Sequence, residues 1–195
     1  MRHLELFAGI GGFRRAMDLL TQDHIMDFHC IGYSEIDAKA VKTYCANYHP
    51  EVDGELAMGD IVEFTSNKNN IDNLPQFDLV TGGFPCQTFS MMGKQAGFNE
   101  DRGQMFFHII DILAAKMPRY VLLENVKNLK SHDKGRTFAR IKQELEALGY
   151  QVFTDIFNTA QFHLPQTRNR LLIFATTEPV PADFEVQFTC DNIAV

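Results

Sequence analysis

Short apolar runs of strand length alternate along this chain with longer segments of helical period, and that alternation admits few folds. "HLELFAG" reads as a buried strand ending in a glycine turn, and "GFRRAMDLL" follows with Phe13, Ala16, Met17 and Leu20 at helical spacing. "FHCIGYSE" reads as a second strand and "DAKAVKTYCANY" as a helix, with Asp37 as N-cap and Ala38, Val41, Tyr44, Cys45 and Tyr48 on one face. "TSNKNNIDNLPQ" reads as loop, "FDLVTGG" as a strand, "GQMFFHIIDILAAKM" as a helix closed before Pro118, and "RYVLLEN" as the next strand. Residues 127–135 read as loop. "RTFARIKQELEALGY" is then a helix with Phe138, Ile141, Leu145 and Leu148 inward and Gly149 as its stop, before two late strands, "QVFTDIFN" and "RLLIFAT". The pattern predicts an α/β, Rossmann-like fold: a mostly parallel twisted sheet with helices on both faces and ligands outside the carboxyl ends of the strands.

A chain of 195 residues suits one domain. We place it at residues 1–175, with residues 176–195, which carry four acids and no base, as a C-terminal extension. The apolar runs are too short to cross a bilayer and the N-terminus turns charged and glycine-rich at once, so a cytoplasmic setting is expected. Four widely spaced cysteines without a CxxC pair and seven histidines without clustering predict reduced thiols and no metal. The net charge of −7 suits a polyanion poorly, but residues 116–142 hold eight basic side chains against two acidic ones, which raises the prospect of one basic face.

Chemistry-bearing residues fall just after the strands. The glycines of "FAGIGG" allow a tight turn with close backbone approach to a ligand, at the start of a helix whose first amides favour a negative group. Glu35, ending the second strand, is placed to accept ribose hydroxyls. Dinucleotide enzymes want G-x-G-x-x-G, whereas Arg14 stands at the third position here. S-adenosylmethionine, which has adenine, ribose and a carboxylate but no phosphate, suits the turn better. Asp60 in "GDI" is either an acceptor for an adenine amine or a helix cap, with Ile61 as an apolar wall.

In "GGFPCQTFS", Cys86 follows a strand and a proline, which positions it rigidly yet leaves it reachable. A nucleophilic cysteine needs help toward thiolate and a partner for charge developing on its substrate. Glu124, after the apolar run of the "RYVLLEN" strand, is the candidate partner. In "QTRNR", Arg168 and Arg170 are spaced to project from one side of an extended chain, where their forks suit carboxylates or phosphates.

Taken in order, these segments resemble the DNA (cytosine-5) methyltransferase family. "LFAGIGGF", "YSEID" and "GDI" look like its first three motifs, "GGFPCQTFS" its Pro-Cys-Gln motif, "LLENVKNL" its Glu-Asn-Val motif and "QTRNRLLIFA" its Gln-x-Arg-x-Arg motif. The resemblance implies that Cys86 attacks C6 of a cytosine flipped out of double-stranded DNA, making C5 nucleophilic toward the methyl of S-adenosylmethionine. It implies that Glu124 holds the N3 edge, Arg168 meets the base carbonyl or orders Glu124, and Arg170 braces the site. Phe7, Gly9, Gly11, Glu35, Ile36, Asp60 and Ile61 would line the cofactor site. Phe84, Pro85, Gln87, Ser90 and Asn125 would face the substrate, Ser90 toward a backbone phosphate. "SMMGKQAGFNEDRG" suits a covering loop pivoting at Gly93, Gly97 and Gly103.

Two departures stand out. Ile36 occupies a position where the family often has an aromatic ring, and the family's target-recognition region and two last motifs are absent. The expectation is therefore a catalytic-domain fragment or one half of a split enzyme completed by a second polypeptide, in a restriction-modification setting. A tRNA cytosine methyltransferase and a non-catalytic S-adenosylmethionine-binding subunit remain open alternatives. A nicotinamide oxidoreductase fits the opening strand and helix but leaves Cys86, Glu124 and the arginine pair unexplained.

Overall fold

The structure, a computed structural model, describes residues 1–85 and 105–184. Its strands are β1 (Arg2–Leu6), β2 (His29–Ser34), β3 (Leu56–Ala57), β4 (Leu79–Gly83), β5 (Tyr120–Val126), β6 (Gln151–Asn158) and β7 (Asn169–Thr176). Its helices are α1 (Gly12–Gln22), α2 (Ala38–Tyr48), α3 (Pro50–Asp53), α4 (Ile61–Ser66), α5 (Lys68–Asn73), α6 (Met105–Lys116) and α7 (Arg136–Ala147). The strands form one sheet in the order β3-β2-β1-β4-β5-β7-β6. Pairing is parallel from β3 through β5, and β7 runs antiparallel to both β5 and β6. The chain runs outward from β1 through β2 to β3 and then crosses back to β4 on the other side of β1, so the strand order reverses at β1 and the loops after β1, β2 and β4 open at one edge.

Period-2 alternation sorts the side chains between faces. Leu4, Leu6, Val80, Val121, Leu123, Leu171 and Ile173 enter the main core beside Phe106, Ile109 and Leu113 of α6 and Ile141 and Leu145 of α7. On the opposite face Tyr33 and Ala8 pack with Tyr44, Val41 and Tyr48 of α2. The antiparallel end of that face carries Tyr120, Phe174 and Phe153, with Phe184 brought back against the last two.

The stretch read as loop, residues 65–76, is largely helical. Asn67 caps α5 by accepting the Asn69 amide, and Ile71 and Leu74 are buried, so two short helices satisfy backbone and core in place of a loop. Residues 127–135 likewise form two 3-10 turns, Lys127–Lys130 and His132–Gly135. The expected inward faces hold at Met17, Tyr44, Ile141 and Leu145, whereas Ala16 and Ala38 are exposed. Asp37 caps α2 through the Lys39 and Ala40 amides, and Gly149, at φ +92°, follows the end of α7.

Candidate active site

The turn after β1 is held from three sides. Phe7 and Gly9 adopt left-handed backbone at φ +54° and +58°, and Gly11, at φ +89°, starts α1. Ala8 donates to Ser34 of β2, and Gly11 N–H closes the turn onto Ala8 O, both at 2.9 Å. Gly11 is obligatory on two counts. Its φ is left-handed, and a Cβ there would lie 2.2 Å from the Tyr48 ring, whose hydroxyl donates to Gly11 O at 2.8 Å.

Glu35 ties this turn to the next. Its Oε2 accepts Gly9 N–H and its Oε1 accepts the Ile36 and Asp37 amides, each at 2.8 Å. The carboxylate stays half-buried at the mouth of both turns, and a carboxylate has about four acceptor positions, so one or more can still meet a hydroxyl pair. Ile10 and Ile36 flank it as exposed apolar side chains, at 62% and 73%. Asp60 caps α4 through Val62 N–H at 2.8 Å. The Ile61 side chain is buried in the core at the start of α4.

Beneath the turn lies a polar group that the motifs did not announce. Glu5 is fully buried on β1 and accepts Arg14 N–H at 3.3 Å. Arg14 itself is bound by Asp18 and Glu55, lies 3.7 Å from Asp53, and stacks over Tyr48. Burial pushes the Glu5 carboxyl up to about 7 against the opposing pull of the α1 amides. Burial, and then the charge of Arg14, pushes His3 down to about 3, and its Nε2 meets Thr81 Oγ1 at 2.7 Å. The sequence signal was present as polar His3 and Glu5 alternating with Leu4 and Leu6 inside a buried strand.

At the end of β5, Arg170 Nε lies 2.5 Å from Glu124 Oε1. The register explains the meeting. Val126 faces Arg170 and Glu124 faces Leu172, so the two charged residues are diagonal neighbours on one face of an antiparallel pair. Gly83, opposite Glu124 on β4, clears the space, since a Cβ there would come within 3.2 Å of Glu124 Oε2. Arg170, not Arg168, therefore orders Glu124. Arg168 precedes β7, is exposed, and has its backbone clamped to Thr159.

Asn125 and Phe84 turn their side chains inward. Asn125 is 2% exposed, with its amide nitrogen donating to Phe84 O at 2.8 Å and its oxygen accepting Val126 N–H. Phe84 packs into the core on Phe106. Together they brace the backbone that leads through exposed Pro85 toward Cys86. Cys86, Gln87, Ser90 and the loop glycines Gly93, Gly97 and Gly103 lie outside the described residues. Among the described residues, no group of three or more His, Cys, Asp or Glu side chains is arranged to hold a metal ion, and no helix is long and apolar enough to cross a membrane.

A family model for the C-5 cytosine-specific DNA methylases matches residues 1–190. The chain belongs to that family. Within it, the chain is 44% identical over 170 residues to the type II methyltransferase M1.ScrFI of Lactococcus lactis subsp. cremoris, covering 87% of this chain and 40% of that protein. It is 40% identical over 183 residues to the type II methyltransferase M.NgoBI of Neisseria gonorrhoeae, covering 93% and 52%. Against the orphan methyltransferase M.Rho11sI of Bacillus phage rho11s it is 39% identical, covering 91% and 33%. This methylase chain thus spans about a third to a half of the length of these curated relatives. Its fold matches the Dnmt2 methyltransferase of S. pombe at a TM-score of 0.71 and 25% identity, over 98% of this chain and 54% of that one. The Entamoeba histolytica methyltransferase EhMeth matches at 0.75 and 23%, over 98% and 57%, a likeness of fold.

Proposed function

We propose that this chain is the catalytic part of a DNA (cytosine-5) methyltransferase that uses S-adenosylmethionine, in a restriction-modification setting. The observation that carries the reading is the Glu124–Arg170 pair at the same sheet edge as the turn held by Glu35. A fixed carboxylate and a glycine turn at one edge are what joining a base to a nucleoside cofactor requires.

Part-exposed Phe7 and Gly9 bring the turn's backbone to the cofactor, and buried Gly11 holds the turn's shape. Glu35 offers acceptors for its ribose, Ile36 an apolar surface for its adenine, and Asp60 with the Ile61 backbone the polar edge. When bound, S-adenosylmethionine supplies the methyl group as an electrophile. Cys86 adds as thiolate to C6 of the extruded cytosine, and the electron pair moves to C5. Glu124 holds the N3 edge and offsets charge on the ring, kept in place by Arg170, while Arg168 reaches the base carbonyl. After C5 is methylated it loses its proton, and the C6–S bond breaks to return the thiolate. Asn125 and Phe84 set the start of the Cys86 segment, and Gln87 and Ser90 of the same motif are assigned to substrate contact. Because the curated relatives are two to three times longer, we assign target recognition to a further region, in the same or a second polypeptide.

The test is covalent trapping. Incubated with S-adenosylmethionine and a duplex containing 5-fluorocytosine, the chain together with the C-terminal region of a relative is expected to form an adduct that survives denaturation. Cys86→Ala should form none. An adduct that persists in Cys86→Ala, or that forms equally without cofactor, overturns the mechanism.

A further inference from the structure

The basic stretch at residues 116–142 is less of a field than its composition implies. Arg119 pairs with Asp78, Arg136 with Asp133, Arg140 with Glu144 and Lys142 with Glu146, while Lys116 Nζ donates to Asp72 O. Paired charges of this kind add little to an external field. Lys127, Lys130 and Lys134 are different: all are exposed, and none forms a salt bridge with a described carboxylate. They lie on the two 3-10 turns that continue directly from β5, beginning three residues beyond Glu124. The antiparallel register Val126↔Arg170 sends the chain preceding Arg170 alongside them, which brings exposed Arg168 to the same edge.

These turns are not loose. Leu129 is fully buried between the first lysines, Ser131 N–H closes onto Asn128 O, and His132 Nδ1 meets Thr137 Oγ1 at 2.6 Å. Asp133, Lys134 and Gly135 take successive positive φ values of 50°, 57° and 84°. Holding a lysine in left-handed backbone costs about 1 kcal/mol or more, so the surroundings must over-determine it, and such outliers concentrate at functional surfaces. Lys130 holds its ammonium over the face of the Phe138 ring, Nζ 6.0 Å from the centroid.

We propose that Lys127, Lys130 and Lys134 form a preset phosphate-binding edge that grips the backbone of duplex DNA beside the extruded cytosine. The inference rests on the DNA reading of the site and adds to it a surface outside the reacting groups. An overall charge of −7 makes the placement matter, because affinity for a polyanion then depends on the few cations that neutralise its phosphates directly.

Binding of an end-labelled cytosine-containing duplex, followed by anisotropy across a salt series, tests it. For K127Q/K130Q/K134Q the slope of log affinity against log salt is expected to fall by about one unit per lysine. K116Q/K142Q, from the same stretch but away from this edge, should keep the wild-type slope. Thermal unfolding checks that both variants are folded, and calorimetry with S-adenosylhomocysteine checks the cofactor site. An unchanged slope in the triple variant with normal cofactor affinity overturns this proposal, as does an equal loss in K116Q/K142Q. Failure of the wild type to bind S-adenosylhomocysteine strikes the methyltransferase reading instead.

Discussion

Arg170 reaches Glu124 diagonally across the β5–β7 pair, Nε to Oε1 at 2.5 Å, and does so because β7 enters the sheet antiparallel. A parallel β7 would run the "QTRNR" end to the opposite edge. The arginine thus fixes the carboxylate and leaves Glu124 Oε2 over Gly83.

Removing the arginine should therefore hurt chemistry more than folding. The side chains are 25% and 28% exposed, so the pair is screened and its loss should cost about 1 kcal/mol or less of stability. Methyl transfer in Arg170→Ala should nevertheless fall about 100-fold, and in Glu124→Gln by about 100- to 10,000-fold. Single-turnover assays on the enzyme completed with its recognition region, beside thermal unfolding, measure both. Wild-type turnover in Arg170→Ala would remove the ordering role.

Gly11→Ala should lose about 2–4 kcal/mol, from left-handed backbone and from the clash of its Cβ with Tyr48. Tyr48→Phe, which deletes only the hydroxyl bond to Gly11 O, should lose about 1 kcal/mol. In a urea-denaturation cycle, Gly11→Ala with Tyr48→Ala should cost less than the sum of the singles, because the smaller side chain relieves the clash. Strict additivity would show that the two do not conflict.

His3 and Glu5 act on stability in opposite directions as pH changes. Glu5, raised from its usual 4.5 to about 7, binds its proton more tightly folded than unfolded, so its contribution falls as pH rises from about 4.5 through 7. His3, lowered from 6.5 to about 3, binds its proton less tightly folded, so its contribution grows as pH rises from about 3 to 6.5. Between about 4.5 and 6.5 the two slopes offset in the wild type. Glu5→Gln should expose the His3 slope, gaining stability with pH by up to about 1.4 kcal/mol per unit across that window, and His3→Gln should show the reverse. Parallel pH profiles for the two variants in guanidinium unfolding would contradict this assignment.

Ile36 is 73% exposed beside Glu35, so changing it should alter ligand contact without disturbing the core. Ile36→Phe is expected to tighten S-adenosylhomocysteine binding about 3- to 10-fold by ring stacking, and Ile36→Asp to weaken it by at least as much. Both should unfold within about 0.5 kcal/mol of wild type. Calorimetry showing no change in affinity for either variant would separate Ile36 from the cofactor surface.

Six of the seven described strands, the main helices and their order were legible because each has a clean period, whereas the two-residue β3 was not, since two residues carry no period. Turn chemistry was harder to read. Asn67 and the paired apolar residues Ile71 and Leu74 make α5 out of a polar stretch, since a cap and two buried contacts suffice for six residues once a sheet is there to pack on. At the site, the order of motifs located Glu35, Glu124 and the arginine pair, but not what each side chain does.

The alternating periods of this sequence, with the glycine turn and the strand-end acids, by themselves determined a Rossmann-like sheet and the edge at which its chemistry gathers, because those signals are local and repeat with the chain. Tertiary structure alone decided that Arg170 and not Arg168 meets Glu124, that Asn125 and Ile61 turn inward, and that Glu5 sits buried under the turn. Each of these depends on strand direction, register or a partner tens of residues away, and such distances close only when the chain has folded.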